Sequence, residues 1–397
     1  MQTNMDEVEI IAKRQKLDSS NDNKVLIKAQ NLLRLNFIHT GTCVITEKSS
    51  EVEPEFTHQV FDDEQLECYE SEKDGQVIIT VDCLSLSHSV KFSHHFSNST
   101  QHYILDRLAK ALPSNQKCTE NVAPCDNIPN CNPPGQLLHS FIDKAGVHFE
   151  VWRATAKDTG ATELLQRAEK LAIWFIETAD SVDFADDRWE VIFLYSVNTT
   201  DTACVDASTV ASSPLRREFV GYMTLFSFRN PILGTKLRVC QALILPHWQG
   251  KGLGRSLLLS VYTHIVQMRD EVVELTVEDP APGFQRLRDA VDFELLLNHF
   301  PAILQSPVGT CSSPPPGECS IAKTLKIVKA QAQFLEECIA FLSILRQVLL
   351  PLQDSPTITT VFTTATDGTN NEECTTSTNT VRVRLESHSD FKAFRLK

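Results

Sequence analysis

The feature that most constrains this sequence is a glycine-rich turn between an apolar run and a segment of helical periodicity. Residues 239–245 are apolar and β-branched and are stopped by Pro246. The turn at 249–254 then carries glycine at three alternate positions, and leucines and valines recur at helical spacing as far as residue 266. This order predicts a strand, a tight turn and a helix.

The turn has the composition of an anion-binding loop. Glycine has no Cβ, so the backbone can bring several N–H groups close to a ligand. The first turn of a helix adds unpaired N–H donors and a partial positive charge. The dinucleotide fingerprint requires glycine where Arg255 stands, and a Walker loop requires Ser or Thr where Gly252 stands, so both fail on spacing.

The remaining pattern is Gln-x-x-Gly-x-Gly, formed by Gln249, Gly252 and Gly254. It resembles the coenzyme A pyrophosphate loop of the GNAT acetyltransferase superfamily. Further segments extend the match, namely 174–179, 186–189, 221–224, 278–280 and 287–289. In this order and spacing they resemble the catalytic subunits of type B histone acetyltransferases, from about residue 25 to about residue 350.

This resemblance implies an α/β protein with a GNAT acetyltransferase fold, in which a mixed central sheet contains a splayed strand. An N-terminal α/β domain would precede it and a C-terminal helical extension would follow it. The expected boundaries are a tail at 1–24, the first domain at 25–112, a linker or inserted loop at 113–135, the acetyltransferase domain at 136–300, a linker at 301–321, the helical extension at 322–352 and a tail at 353–397.

Periodicity predicts individual elements within these domains. Residues 77–86 form one long apolar run typical of a strand, and shorter strands are expected at 137–142, 147–152, 190–197 and 219–228. Helices are expected at 103–112, with Leu105, Leu108 and Leu112 on one stripe, and at 163–177, 284–297 and 322–352.

The resemblance also implies the ligand-binding residues. Acetyl-CoA, the expected acetyl donor, would contact the end of the strand, the turn and one residue of the following helix: Ala242, Leu243, Ile244, Gln249, Gly250, Lys251, Gly252, Leu253, Gly254, Arg255 and Arg286. A basic peptide substrate would contact acidic and aromatic residues: Asp62, Asp63, Glu64, Trp189, Phe226, Ser227 and Phe228.

Acetyl transfer to an amine requires a base, because a free lysine has a pKa near 10.4 and only about one in 10³ is neutral at pH 7. In the predicted strand at 271–278, alternation puts Val273, Leu275 and Val277 on the buried face and Glu278 on the other, at the strand's carboxyl end. The resemblance makes Glu278 the general base, supported by Asp279 and Glu177. We find no Cys or Ser in a recognisable nucleophile motif, which favours direct attack in a ternary complex.

Composition limits the partners. A net charge of -14 disfavours direct nucleic-acid binding and is compatible with a Lys-rich substrate. The 12 cysteines include no Cys-x-x-Cys pair and no Cys/His group at zinc spacing, so no metal is expected. No run is long enough to span a membrane. By resemblance, the partners would be histone H4, together with H3, and a WD40-repeat histone-binding subunit, in nucleus and cytoplasm.

Two other functions stay open. One is a GNAT activity on another protein or on a small amine, which would not need an acidic groove around Asp62, Asp186 and Asp187. The other is a non-catalytic histone-binding subunit that keeps the fold. Retention of Gln249, the glycines and Glu278 argues against this second alternative.

Overall fold

A computed structural model gives the structure of this chain. It describes residues 24–40, 47–93, 96–112, 132–198, 216–301, 303 and 320–353. The expected N-terminal tail at 1–23, most of the linker at 113–135, the Ser/Thr-rich segment at 199–215 and the C-terminal tail beyond residue 353 lie outside these residues.

The chain divides into two compact units. The first contains Met1–Thr224 and Gln241–Lys251, and the second contains Leu225–Cys240 and Gly252–Lys397. Two long strands, Arg216–Asn230 and Gly234–Ile244, begin in one unit and end in the other.

The N-terminal part of the first unit is a small α/β arrangement. A two-stranded antiparallel pair joins β1 to β4, and a four-stranded sheet has the order β3-β2-β5-β6, in which β2 and β5 run parallel. The elements are β1 Lys24–Lys28, α1 Ala29–Leu32, β2 Leu33–Thr40, β3 Glu47–Val52, β4 Gln65–Tyr69, β5 Val77–Asp82, β6 Ser87–Phe92 and α2 Asn98–Ala111.

The long run at 77–86 is not one strand, and this prediction was wrong. β5 ends at Asp82, whose carboxylate accepts hydrogen bonds from Leu84 N–H (2.9 Å) and Ser85 Oγ (2.7 Å). Leu86 adopts a left-handed φ of 53°. An Asp that bonds its own following backbone favours a turn over a continuing strand.

Helix α2 begins five residues before the predicted start at 103, because Ser97 caps it by accepting a hydrogen bond from Thr100 N–H. Its buried face is formed by Thr100, Ile104, Leu108 and Ala111. Leu105, predicted on that face, is only half-buried.

The rest of the first unit contains an antiparallel sheet and one helix. Within this unit the strand order is β11-β10-β9-β8-β7, and the strands predicted at 137–142, 147–152, 190–197 and 219–228 are confirmed. The elements are β7 Gln136–Ile142, β8 His148–Ala154, α3 Ala161–Ala172, β9 Trp189–Asn198, β10 Arg216–Asn230 and β11 Gly234–Ile244.

Helix α3 ends at Ala172 and not at Glu177, so the predicted end was wrong. The chain turns there because Trp174 becomes buried and its carbonyl accepts hydrogen bonds from the N–H groups of Glu55 (2.8 Å) and Phe56 (3.1 Å). A tertiary contact of this kind overrides helical periodicity.

The second unit joins a parallel strand pair to helices. β11 pairs with β12 in parallel, and the helices follow. The elements are α4 Leu253–Val261, which continues as a π-helical turn at Tyr262–Val266, β12 Val272–Val277, α5 Pro282–His299, α6 Ile321–Leu325 and α7 Lys329–Gln353. No helix in the described part of the chain has the length and apolar character that crossing a membrane needs.

The helical segment expected at 322–352 is broken at Lys326. This residue has a left-handed φ of 53°, and its Nζ donates to the carbonyls of Val266 and Arg269, both at 2.8 Å. Its carbonyl accepts the N–H of Leu275, which ties the break to β12.

The predicted burial of β12 was partly wrong. Leu275 is buried as expected, but Val273 is 41% exposed, whereas Val272 on the opposite face is buried. Side chains still alternate along the strand. At the start of β12, however, the buried residue is Val272 and not Val273.

Candidate functional site

The carboxyl end of β11 extends past its pairing with β12. The parallel ladder runs from Thr235 to Val239, and its last hydrogen bond is from Glu278 N–H to the Val239 carbonyl (2.9 Å). β12 ends at Val277, while β11 continues to Ile244. Among the described residues, β12 therefore leaves the end of β11 without a partner on this edge, where the resemblance implies a splayed strand.

Beyond Val239, the backbone hydrogen bonds of β11 are formed from the opposite edge of the strand. The Val239 carbonyl accepts the N–H of Glu278, just after β12. In contrast, Gln241 N–H donates to Thr224 Oγ1 on β10 (3.0 Å), and Leu245 N–H donates to the Val220 carbonyl of the same strand (2.9 Å). Residues i and i+2 of a regular strand point to the same edge, so the backbone is irregular between 239 and 241. By alternation, the backbone groups of Ala242 point away from β10.

The glycine turn has the backbone conformation that only glycine adopts easily. Gly250 and Gly252 have φ values of 73° and 79°. A Cβ built on either would meet nothing within 4 Å, so backbone conformation and not space requires glycine at these two positions. Gly252 immediately precedes α4, whose first N–H groups have no partner within the helix.

Side chains around the turn are mostly engaged within the chain. Gln249 Nε2 donates to the Ile244 carbonyl (2.8 Å), which folds this side chain back onto the end of β11. Lys251 Nζ lies 4.3 Å from the centre of the Trp248 ring, and Arg255 forms an ion pair with Glu294. Ligand contacts by Gln249 are therefore restricted to its backbone unless the side chain moves.

Glu278 emerges half-exposed just after β12 and has two close neighbours from the second unit, Arg238 and Cys240. Arg238 Nη1 lies 3.5 Å from Glu278 Oε1, and the Arg238 guanidinium lies 4.6 Å from the centre of the Phe228 ring. Burial, followed by a hydrogen bond with Glu278, raises the pKa of the Cys240 thiol to about 12. We call Glu278, Arg238, Cys240 and Phe228 the Glu278 cluster.

Sequence reasoning missed Arg238 and Cys240. Both lie on β11, and their closeness to Glu278 follows from the parallel register that sets Arg238 opposite Thr276. Their spacing of two residues put them on one strand face, but nothing in the sequence gave the register.

Phe226 and Phe228 lie together, with ring centres 4.8 Å apart. Ser227, between them in the chain, is buried, because neighbouring residues of a strand face opposite sides. The structure therefore groups the two aromatic rings and separates Ser227 from them. In the same unit, Asp279 is exposed with a φ of 32°, and Arg286 is exposed in the first turns of α5.

The other predicted acidic residues belong to the first unit and are exposed or ion-paired. Glu177 is exposed in the turns after α3. Asp62 pairs with Arg107 (2.6 Å). Asp63 and Glu64 are exposed with left-handed φ values of 51° and 58°.

Trp189, the first residue of β9, is half-buried beside another paired carboxylate. Arg188 Nε donates to both carboxylate oxygens of Asp186, at 3.0 Å to Oδ1 and 2.9 Å to Oδ2. The charge of Asp186 is therefore offset within the chain itself.

A buried carboxyl of the first unit was not foreseen. Glu169 of α3 is only 4% exposed, and burial raises its pKa to about 7. Its Oε1 accepts a hydrogen bond from Val182 N–H (2.9 Å). The apolar stripe of α3 gave no signal for it, since a Glu between apolar residues of a helix is ordinarily solvent-exposed.

Comparison with known proteins identifies the relatives of this chain. Residues 25–177 match the family model described as the N-terminus of histone acetyl transferase HAT1. The histone acetyltransferase type B catalytic subunit of Mus musculus is 29% identical over 252 residues, which are 60% of this chain and 57% of the relative. That of Pyricularia oryzae is 31% identical over 193 residues, 41% of this chain and 39% of the relative. The chain thus spans less than two thirds of these relatives.

Solved structures give weaker likenesses. An aminoglycoside acetyltransferase from a soil metagenome, in complex with sisomicin, is 13% identical with a TM-score of 0.25, covering 36% of this chain and 84% of that one. A Vibrio cholerae integron cassette protein is 15% identical with a TM-score of 0.22, covering 43% and 90%. Scores this low support no conclusion about function.

Proposed function

We propose that this chain, which is similar to the catalytic subunits of type B histone acetyltransferases, transfers the acetyl group of acetyl-CoA to lysine side chains of a histone. The observation that carries the proposal is the continuous path from the end of β11, where β12 no longer pairs with it, through a turn with two left-handed glycines, to the start of α4. A backbone edge followed by a group of N–H donors suits an extended ligand that ends in a pyrophosphate.

Each part of this path offers a different contact to the coenzyme. Within residues 242–244, the backbone groups of Ala242 point away from β10 and provide a strand edge for the amide-bearing pantetheine arm. The N–H groups at 250–255 suit the pyrophosphate, because they are donors that the helix leaves unpaired. Arg286 is an exposed cation of α5 and suits a further phosphate.

Glu278 is the proposed general base. A lysine amine must lose its proton before its nitrogen can attack the thioester carbonyl carbon, and a carboxylate at hydrogen-bond distance accepts that proton directly or through water. The C–N bond forms, the C–S bond breaks and coenzyme A leaves as the thiolate. Asp279 and Glu177 are proposed to assist as further carboxylates.

The proposed substrate is the N-terminal tail of newly made histone H4, presented with H3. The net charge of -14 favours such a basic partner. Phe226, Phe228 and Trp189 are aromatic surfaces against which the apolar stem of a lysine can pack, and Asp63 and Glu64 are exposed acidic groups. The proposed partner is a WD40-repeat histone-binding subunit and the proposed location is nucleus and cytoplasm, both on the resemblance to the type B enzymes.

One observation favours a second candidate, acetylation of another protein or a small amine. Asp62 and Asp186 already pair with Arg107 and Arg188. Two of the three carboxylates expected to form an acidic groove therefore present less free charge than their sequence suggested.

The test measures acetyl transfer from labelled acetyl-CoA to an H4 tail peptide by wild type, Glu278→Gln and Glu271→Gln. Glu271 is an exposed carboxylate just before β12 and serves as the matched control. We expect Glu278→Gln to lose about 10²-fold or more in rate near pH 7, with coenzyme affinity unchanged, and the control to keep its rate.

Two results would contradict the proposal at different levels. Transfer to small amines but not to the peptide would support the second candidate and reject the histone substrate. Failure of the wild-type chain to bind coenzyme A would reject acetyl transfer itself and favour a histone-binding role without catalysis.

A further inference from the structure

The strand that leads to Glu278 is held along both of its edges. On one edge, β12 pairs with β11 in parallel. On the other edge, both backbone groups of Leu275 are bonded within the second unit. Its N–H donates to the Lys326 carbonyl (2.7 Å), and its carbonyl accepts a hydrogen bond from Arg288 Nη2 (3.2 Å). Leu275 is therefore a fixed point on the outer edge of β12.

Lys326 reaches Leu275 from the turn between α6 and α7. Its φ of 53° is left-handed, a conformation that residues with a Cβ disfavour. Its Nζ donates to the carbonyls of Val266 and Arg269, both at 2.8 Å, on the chain that leads into β12. Hydrogen bonds from a charged donor are strong and offset the unfavourable backbone conformation. The side chain of Lys326 thus holds its own carbonyl against Leu275.

Arg288 reaches Leu275 from α5. Its side chain is buried, and its Nε lies 3.4 Å from Asp292 Oδ2, one turn further along the same helix. A buried guanidinium needs a carboxylate and acceptors for its N–H groups, and the Leu275 carbonyl is one of these acceptors. Residues 287–289 are among the segments that carry the resemblance, and this contact gives Arg288 a physical role.

The distance from Leu275 to Glu278 makes this hold matter for the chemistry. Three residues of a strand span about 10 Å, so a tilt of roughly 6° at Leu275 moves Glu278 by about 1 Å. A misplacement of about 1 Å far from the reacting atoms can cost about 10²-fold in rate. A carboxylate that accepts a proton must lie at hydrogen-bond distance from the amine, so its placement is set by the strand that carries it.

We propose that Lys326 and Arg288 are positioning residues for acetyl transfer. Together they hold Leu275 and thereby fix the place at which Glu278 meets the lysine amine. This inference rests on the proposed function, in which Glu278 is the general base. Both residues act through Glu278, and the turn between α6 and α7 thus contributes to the geometry of the reaction.

The experiment measures steady-state acetyl transfer by the full chain from labelled acetyl-CoA to an H4 tail peptide. Lys326→Met removes the ammonium and keeps the apolar stem, and Arg288→Lys keeps a cation beside Asp292 but loses the planar fork of donors. Lys323→Met is the matched control, because Lys323 is an exposed lysine of α6. We expect kcat to fall at least tenfold in the first two variants, with the KM of acetyl-CoA unchanged, and the control to keep its kcat.

A double-mutant cycle separates positioning of the base from a general structural role. If Lys326 acts through Glu278, Lys326→Met should change the rate by less than about twofold in the Glu278→Gln background, because the group being positioned is already gone. Equal fold losses in both backgrounds would overturn the inference and leave the proposed function standing. A Glu278→Gln variant with the full wild-type rate would instead reject the base itself, and the inference with it.

Amide hydrogen exchange tests the hold on Leu275 without any catalysis. In variants whose melting curves show that they are folded, the Leu275 amide should exchange at least about tenfold faster in Lys326→Met than in wild type. Exchange in Lys323→Met should match wild type. An unchanged exchange rate or an unchanged kcat in Lys326→Met would overturn the role of Lys326, and an unchanged kcat in Arg288→Lys would overturn that of Arg288.

Discussion

The buried carboxyl of Glu169 makes the stability of the first unit depend on pH. Burial is the largest cause of its raised pKa, and the nearby Asp180 charge acts in the same direction. The hydrogen bond from Val182 N–H and the charge of Lys170 act in the opposite direction and are outweighed. The folded state therefore keeps the proton at pH values where the unfolded state has released it.

The magnitude follows from the size of the shift. The pKa rises from 4.5 to about 7, a difference of 7 - 4.5 = 2.5. At about 1.4 kcal/mol per unit this is at most about 3.5 kcal/mol. Because the folded state binds more protons in this window, the free energy of unfolding falls as pH rises from about 4.5 to 7 and stays lower above it.

Glu169→Gln tests this account. Glutamine keeps a carbonyl acceptor for Val182 N–H and cannot ionise, so it removes the pH-dependent part alone. We expect the free energy of unfolding of the variant to exceed that of wild type by up to about 2.5 kcal/mol more at pH 8 than at pH 5. Urea unfolding followed by circular dichroism measures both values.

The control is Glu163→Gln, on the same helix with a side chain 63% exposed. It should show no such difference between the two pH values. The reasoning fails if the stability difference between Glu169→Gln and wild type is the same at pH 5 and pH 8.

Two further substitutions test the core and the glycine turn. Arg217→Ala should lower the free energy of unfolding by about 3 kcal/mol or more, because it leaves the buried carboxylate of Glu150 without the arginine that pairs with it at 2.7 Å. Urea unfolding measures this loss of stability. A loss below about 1 kcal/mol, which is typical of a surface ion pair, would contradict the argument. Gly252→Ala and Gly146→Ala should each cost about 1 kcal/mol, since both glycines have left-handed φ values with no steric contact. Calorimetric titration should show weaker coenzyme A binding only in Gly252→Ala, and equal binding by both variants would contradict the proposed pyrophosphate contact.

The strand, glycine turn and helix were predictable because their signals are local. An apolar run, a proline stop and glycines needing positive φ all lie within thirty positions, and the structure has β11, the turn and α4 in that order. The position of Glu278 was predictable for the same reason, since Pro280 ends the strand just beyond it.

Features that depend on distant contacts were not predictable. The end of α3 is set where the Trp174 carbonyl meets the N–H groups of Glu55 and Phe56, more than a hundred positions earlier. The helix break at Lys326 is set by carbonyls at Val266 and Arg269. Periodicity reports which residues can be buried, but it carries no information about which backbone groups will need a partner.

The surroundings of Glu278 show how this limit affects the candidate site. An aromatic ring beside a carboxylate is the arrangement expected to receive a lysine, with the stem on the ring and the amine at the acid. In the structure, Arg238 already occupies both positions, 4.6 Å from the Phe228 ring centre and 3.5 Å from Glu278. If the proposed function holds, an incoming lysine competes with Arg238 for the same two groups. Arg238 then has to move away before Glu278 can take a proton from the lysine amine, so access to the base depends on the position of this arginine.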